Sequence, residues 1–342
     1  TPSLPRSTRP ANRRPDIYEG SSAGRSTPFY EEGMDLGGMT SRRARWLRAK
    51  RQLPLHLMLL PCVILVLIYA YYPMAGIVIA FQNYNPRLGF FASKWVGLAH
   101  FKYLMNMPNT QSVLFNTVYI ALMKIVAGLA VPILFAILLD LIKKIALRRA
   151  IQTIIYIPYF LSWVILSGIL IDLLSPSTGL VASVVRFFGG EPVFYLANAT
   201  AFPYLLVVTD IWKNAGYGTI IYLAAITSID QSLYEAAVVD GANRLQQVLN
   251  ITLPGMAPII VLMATLSMGN VLNAGFDQVL NLYSPIVYST GDIIDTFIYR
   301  IGLQNNQYGV ATSTSLFKSL ISFVFIAVGY RLAYKYADYT VF

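Results

Sequence analysis

The chain has 342 residues, of which 56% are hydrophobic and 12% charged, and its net charge is +10. Soluble domains carry roughly 25% charged residues, so this composition excludes an ordinary soluble domain and favours several membrane-spanning helices. One cysteine and two widely separated histidines exclude a disulfide framework and a Cys/His metal site. Neither G-x-x-x-x-G-K-[ST] nor G-x-G-x-x-G occurs, so we predict no phosphate-binding loop and no cofactor in this chain.

The N-terminal part of the chain is polar and basic. Residues 1–41 are rich in Pro, Ser, Thr, Gly and Arg and have no hydrophobic period, which predicts disorder. Residues 42–53 hold six of the eleven Lys and Arg of this region and predict a basic interfacial helix. We therefore divide the chain into a cytoplasmic tail, 1–53, and a transmembrane domain, 54–342. No cleavable signal peptide is expected, because the first apolar run begins only after residue 53.

Six hydrophobic stretches reach the length of about 20 residues that a helix needs to cross a bilayer. They predict an all-α membrane protein with six transmembrane helices. We place these helices near 55–80, 114–141, 151–174, 203–226, 258–282 and 315–336.

Basic residues are distributed unequally between alternate loops. Eighteen Lys and Arg lie on the side that holds both termini, and five lie on the opposite side. The positive-inside rule therefore places the N and C termini and residues 230–258 on the cytoplasmic side of the membrane. A basic cluster beside a membrane helix is typical of contact with anionic lipid, so we expect no nucleic-acid partner.

The fourth predicted helix carries the densest set of intramembrane polar residues, which are costly in lipid and usually functional. Asp210 and Lys213 are three residues apart, so they either neutralise each other as a structural pair or line a substrate path. The ring and amide groups of Trp212, Asn214 and Tyr217 would suit a sugar.

The fifth predicted helix carries Asn270, Asn273 and Asp277 at positions i, i+3 and i+7, which predicts one polar stripe. Such a stripe either lines a water-filled path or joins helices through hydrogen bonds. Lys124 and Lys213 would suit an anionic oligosaccharide, although two lysines do not identify the sugar.

Residues 230–258 form a polar segment between two apolar runs. Ser232 and Glu235 match the S-x-x-E capping box that begins a helix, and Gly241 suits the left-handed residue that ends one. A second helix is expected to follow and to stop at Pro254. The segment is too short to bury its own apolar face and therefore requires a groove on a partner. The apolar positions are Leu233, Ala236 and Ala237, then Leu245, Val248 and Leu249.

The spacing within this segment resembles the EAA loop, the ATPase-docking segment of ABC importer permeases. The residues that carry the resemblance are Glu235, Ala236, Ala237, Asp240, Gly241, Ile251, Leu253 and Pro254. Longer phrases are similar to polysaccharide-type permeases: YYPMAGIVIAFQNYNP at 71–86, DIWKNAGYGTIIYLAAI at 210–226 and GNVLNAGFDQVLNLYSPIVY at 269–288.

The resemblance implies a type I ABC importer permease of a bacterial inner membrane that contains no catalytic residue. It implies a complex with a second permease subunit, two ATPase subunits that bind ATP and Mg, and an extracytoplasmic solute-binding protein. The eight residues of the loop would form the contact with an ATPase subunit. An oligosaccharide would then cross the bilayer along the polar residues of the fourth and fifth helices.

Two other functions are weighed against this interpretation. A secondary, ion-coupled sugar transporter could use Asp210 and Asp277 as coupling carboxylates, but the cytoplasmic segment would then be unexplained. A membrane enzyme acting on lipid-linked sugars would require converging carboxylates on one membrane face. Asp292 and Asp295 form the one close acidic pair in the outer loops, and their spacing of one helical turn suits a surface face better than catalysis.

Overall fold

The computed structural model describes residues 41–337 and the side chains of residues 52–331. The tail predicted to be disordered, 1–41, lies outside the described residues except for Ser41, which begins the first helix. The chain divides between Ala70 and Tyr71 into two compact units.

The described part of the first unit is helical. Helix α1 (Ser41–Val66) is followed by a π-helical segment, Leu67–Tyr71. Residues 42–53, predicted to form a basic interfacial helix that leads into the membrane, belong to the same helix as the apolar run that follows them. The residues from Gln52 to Phe81 form a helical run long and apolar enough to cross a membrane.

The second unit is also mainly helical. It begins with a helical turn (Tyr72–Met74), a 3-10 helix (Ala75–Phe81) and two short antiparallel strands, β1 (Gln82–Asn83) and β2 (Lys94–Trp95), which pair Gln82 with Trp95. The longer helices are α2 (Ala99–Asn106), α3 (Pro108–Asp140), α4 (Ile145–Tyr156), α5 (Trp163–Leu173), α6 (Leu180–Phe187), α7 (Phe202–Thr227), α8 (Gln231–Val239), α9 (Arg244–Met268), α10 (Phe276–Leu282), α11 (Ile294–Tyr299) and α12 (Tyr308–Ala337). Short helical segments lie at Gly89–Ala92, Ile157–Phe160, Tyr195–Ala197, Pro285–Val287, Tyr288–Gly291 and Arg300–Gln304.

Four helical runs in the described residues are long and apolar enough to span a membrane. They are Gln52–Phe81, Pro108–Asp140, Arg244–Met268 and Tyr308–Arg331. A fifth span results if α4 and α5 are counted together. Helix α7 forms where the fourth transmembrane helix was predicted. It is not among these four runs, because the polar residues in its middle lower its mean hydropathy. The predicted number of six is therefore not confirmed.

The prediction of one continuous helix over 151–174 is wrong. The segments Ile145–Phe160 and Trp163–Leu173 meet at an angle of 106°. Pro158 lies in the 3-10 turn that ends the first segment, and the Ser162 side chain caps α5 by accepting the Ile165 N–H at 3.3 Å. A proline and a capping serine four residues apart thus end one helix and begin another within the apolar run.

The predicted boundaries of the fifth transmembrane helix, 258–282, are also wrong. Helix α9 begins at Arg244 and ends at Met268, and residues 269–275 form turns and irregular backbone before α10. Gly275 has φ +92°, a left-handed conformation that favours glycine, and it precedes the first residue of α10. The apolar composition of this stretch hid the interruption.

Helices α3 and α7 make the most extensive pairing among the described helices, and the buried core forms along them. Near one end of the pair, α3 and α7 pack with α5 and α10 through Ile120, Leu166, Phe202, Leu206 and Val279. Near the other end, they pack with α9 through Ala136, Leu139, Tyr222, Ile226 and Met256. A third cluster joins α2, α11 and α12 through Leu104, Phe297, Ile301 and Val310.

Gly216 allows α4 to cross close to α7. A Cβ at Gly216 would overlap the Ile155 carbonyl oxygen, which is a backbone atom that cannot rotate away. The broken end of α4 therefore reaches α7 only because position 216 has no side chain.

We predict that Gly216→Ala lowers the free energy of unfolding by about 1–3 kcal/mol, the usual cost of overpacking a close contact. Thermal unfolding of the purified protein in detergent measures the effect. Gly168→Ala is the matched control, because nothing lies within 4 Å of a Cβ at this position on α5. Equal melting temperatures for the two variants would contradict the close approach.

Candidate functional site

Helix α8 begins one residue before the predicted capping box. Its N-cap is Asp230, whose Oδ1 accepts the Ser232 backbone N–H at 2.9 Å. This hydrogen bond lowers the pKa of Asp230 below its ordinary value, because it stabilises the charged carboxylate. The predicted Ser232–Glu235 capping box is therefore wrong, since Ser232 already lies in the first turn.

The predicted turn at Gly241 is confirmed. Gly241 has φ +79°, its N–H donates to the Val238 carbonyl at 3.1 Å, and the Ala242 N–H donates to the Ala237 carbonyl at 2.8 Å. These two bonds are those of a Schellman motif, in which a left-handed residue satisfies the last carbonyls of a helix. Asp240 is the C-cap residue of α8.

Helix α9 begins immediately after this turn. Asn243 and Gln246 form a reciprocal capping box, with bonds of 2.9 Å from the Gln246 N–H and 2.7 Å from the Asn243 N–H. The N-x-x-Q spacing directly after a Gly turn was the signal that sequence reasoning missed.

The predicted stop at Pro254 is wrong. Residues Val248–Thr252 form a π-helical segment, and Pro254 lies in the first turn of the α-helical stretch that follows. The wider hydrogen-bond pattern of a π segment accommodates a residue that lacks an N–H donor, so the helix continues to Met268.

The α8–α9 segment, residues 231–254, exposes most of the residues named by the resemblance. Its inner side is held by a 2.9 Å hydrogen bond between the Tyr234 hydroxyl and Thr252 Oγ1, and by the buried side chain of Gln247. Exposed members of the predicted contact are Glu235, Ala236, Asp240, Gly241 and Pro254, and half-buried members are Ala237, Ile251 and Leu253. Exposed apolar side chains beside them are Leu233, Val238, Val239, Leu245 and Leu249.

A polar cavity of about 530 Å³, here called the central cavity, lies between α3, α7 and the end of α9. Its lining brings together five of the predicted path residues: Asp210, Asn214, Tyr217, Asn270 and Asn273. Lys124 of α3 and Ser267 of α9 complete its polar wall. Trp212 and Asp277 are exposed and lie outside the lining.

Lys124 is the buried centre of this wall. Its Nζ lies 3.6 Å from the Asp210 carboxylate and donates to the Ala274 carbonyl at 2.6 Å and to Gln278 Oε1. Gln278 in turn donates to the Leu206 carbonyl at 2.8 Å and to Thr209 Oγ1 at 2.7 Å. Sequence reasoning missed Gln278, because an amide in a polar stretch gives no signal of full burial.

Of the two alternatives for Asp210 and Lys213, the mutual pair is wrong, because each side chain has other partners. Asp210 pairs with Lys124, as described above. Lys213 Nζ donates to the Tyr159 carbonyl at 2.8 Å and to the Leu161 carbonyl, and thus satisfies carbonyl groups left open by the break between α4 and α5. The Tyr159 ring also stacks on Tyr217, with centroids 4.4 Å apart, and both rings line the central cavity.

The prediction that Asn270, Asn273 and Asp277 form one stripe along a single helix is wrong. The helix ends at Met268, so Asn270 and Asn273 lie in turns and irregular backbone, while Asp277 lies in the first turn of α10. The loop nevertheless brings Asn270 and Asn273 to the central cavity.

Comparisons with known proteins agree with this geometry. Residues 133–337 match the model of the binding-protein-dependent transport system inner membrane component family. The chain is 40% identical over 297 residues to the polygalacturonan/rhamnogalacturonan transport system permease protein YteP of Bacillus subtilis (strain 168), covering 87% of this chain and 92% of YteP. It is 36% identical over 313 residues to Protein LplB of the same organism, covering 91% of this chain and 96% of LplB.

Solved structures show the same fold. In the crystal structure of a bacterial alginate ABC transporter in complex with alginate pentasaccharide-bound periplasmic protein, one chain matches with a TM-score of 0.78 and 36% identity. That match covers 85% of this chain and 97% of the other. A chain of a bacterial ABC transporter involved in the import of the acidic polysaccharide alginate matches with a TM-score of 0.79 and 36% identity, covering 86% and 99%.

We predict that Lys124→Met destabilises the protein by about 1–3 kcal/mol, because it leaves Gln278 Oε1 and Asp210 without their shared donor. Asp210→Asn should destabilise the protein less, since Lys124 keeps its bonds to Gln278 and Ala274. Thermal unfolding in detergent of the two single variants and the double variant completes a mutant cycle. The loss of unfolding free energy in the double variant should be smaller than the sum of the losses in the two single variants. Strictly additive losses would contradict the pairing of Lys124 with Asp210.

Proposed function

The chain belongs to the family of binding-protein-dependent transport system inner membrane components, and on that premise we propose how it works. It is a permease component of a sugar or oligosaccharide ABC transporter. In our proposal it receives an oligosaccharide from an extracytoplasmic solute-binding protein and is driven by two partner ATPase subunits. A second permease subunit completes the translocation path.

The observation that carries the proposal is the continuity of α9. This helix starts inside the exposed α8–α9 segment and ends beside the central cavity, where Ser267 forms part of the lining. With 25 residues, it is about 37 Å long at 1.5 Å per residue. A displacement of the exposed segment would therefore reach the cavity wall through one helix.

The exposed face of the α8–α9 segment supports ATPase docking. Val239 is 87% exposed and Leu245 66% exposed, and such apolar helix faces dock into hydrophobic grooves of partner proteins. In our proposal, closure of the ATP-bound ATPase dimer moves this segment. The movement of α9 then opens the central cavity to the extracytoplasmic side. Hydrolysis of ATP by the ATPase subunits then opens the cavity to the cytoplasmic side again.

The proposed substrate is an oligosaccharide that binds in the central cavity. The stacked rings of Tyr159 and Tyr217 would face apolar sugar surfaces, while Asn214, Asn270 and Asp210 would bond hydroxyl groups. The names of the similar proteins support an acidic oligosaccharide, since they specify polygalacturonan, rhamnogalacturonan and alginate.

The proposed orientation places both termini and the α8–α9 segment in the cytoplasm. The unequal distribution of Lys and Arg between alternate loops supports it. ATP and Mg would bind to the partner subunits, and this chain would supply no catalytic residue.

We predict that Gly241→Asp and Glu235→Lys each abolish oligosaccharide uptake and weaken co-purification of the ATPase subunits, while membrane insertion stays normal. Aspartate at Gly241 adds charge and bulk to the docking face at a residue with φ +79°. Uptake of labelled oligosaccharide by cells and pull-down of the complex measure the two effects.

Gly189→Asp is the matched control for the first variant. Gly189 also has φ +79° and has no atom within 4 Å of a Cβ, but it lies after α6 in a loop predicted to be extracytoplasmic. The Gly189→Asp variant should keep the ATPase subunits bound. Normal uptake by both the Gly241→Asp and Glu235→Lys variants would exclude the proposed coupling role.

A further inference from the structure

A second cavity, of about 810 Å³, lies next to the central cavity and shares Asn273 with it. We call it the lateral cavity. Its walls come from α10, α11, the π segment Arg300–Gln304 and α12. Its volume lies in the range of about 300–1,000 Å³ that is usual for small-molecule sites. The function proposed above does not use it.

The lateral cavity contains an ion pair. Lys318 Nζ lies 2.5 Å from Asp295 Oδ1, and the two side chains are 21% and 20% exposed. Lys318 is ten residues inside the candidate span that begins at Tyr308, which corresponds to about 15 Å along the helix. Charged groups at such depth face protein or a water-filled cavity, because lipid cannot solvate them. The ion pair therefore gives the cavity a charged end, although most of its lining surface is apolar.

Aromatic rings and free acceptors line the same space. The Phe276 and Tyr299 rings have centroids 5.7 Å apart and are tilted by 59°, and both line the cavity. The Thr312 and Ser315 hydroxyls donate to carbonyls of their own helix at 2.8 and 3.1 Å, so their oxygens remain available as acceptors. Ring faces next to hydroxyl oxygens and an ion pair match the alternating apolar faces and hydroxyl groups of a sugar.

We infer that the lateral cavity is a second saccharide subsite, and that the substrate path holds an oligosaccharide extended across both cavities with Asn273 at their junction. The inference rests on the proposed function of oligosaccharide import. The sugar units at one end of the oligosaccharide stack on Tyr299 and Phe276, while the units at the other end contact the central cavity. Short oligomers would fill the central cavity alone.

The test compares import of galacturonate oligomers of two and six units by the whole complex in proteoliposomes with its binding protein. Tyr299→Leu should raise the KM for the hexamer by about 3- to 10-fold, which corresponds to the loss of one aromatic contact. The KM for the dimer should stay within about 2-fold of wild type, and Tyr299→Phe should restore the hexamer value.

The control variant is Tyr103→Leu, which removes an exposed tyrosine of α2 that lines neither cavity. A Tyr299→Leu variant that changes both KM values equally, or neither, contradicts the second subsite while the wild type still transports. If this variant loses the second permease subunit on gel filtration, the cavity is a subunit interface and the inference is wrong. If the wild type imports neither oligomer, the proposed acidic oligosaccharide substrate is wrong, and the subsite fails with it.

Discussion

The bonds of the buried Lys124 ammonium organise the centre of this protein. An ammonium group that is removed from water must be fully bonded, since an unpaired buried charge is very costly. Lys124 satisfies this constraint with Asp210 of α7, the Ala274 carbonyl and Gln278 of α10. Gly275 has no side chain, and this leaves room for the ammonium, because a Cβ there would lie 2.8 Å from Lys124 Nζ. These bonds join α3, α7, the loop at Ala274 and α10 beside the central cavity.

The cavity and the exposed α8–α9 segment are connected through few elements. Helix α9 joins them directly, and α7 supports α9 through the cluster around Tyr222 and Met256. Lys213 of α7 binds the carbonyls at the break between α4 and α5, so that break is tied to the same helix. A force applied to the exposed segment would thus be transmitted to groups that line the central cavity.

Local patterns could be predicted from the sequence, and long-range bonds could not. The helical structure of α7 and the left-handed Gly241 depend on neighbours within a few residues, and both predictions are confirmed. The break near Pro158 is bonded by Lys213, more than fifty residues away along the chain, and that bond has no sequence signature. Gln278 was missed for the same reason, because its partners Lys124 and Thr209 lie on other helices. The continuation of α9 through Pro254 required a π segment, which hydrophobic periodicity does not predict.

If partner ATPases drive this chain through the α8–α9 segment, they should remain bound to it in the intact complex. We would purify the chain from its native membrane in detergent, identify the co-purifying subunits and measure ATP hydrolysis. We expect a second permease and two ATPase subunits, with hydrolysis stimulated by a solute-binding protein loaded with oligosaccharide. Purification of this chain without any ATPase subunit, together with sugar uptake driven by an ion gradient, would contradict this expectation.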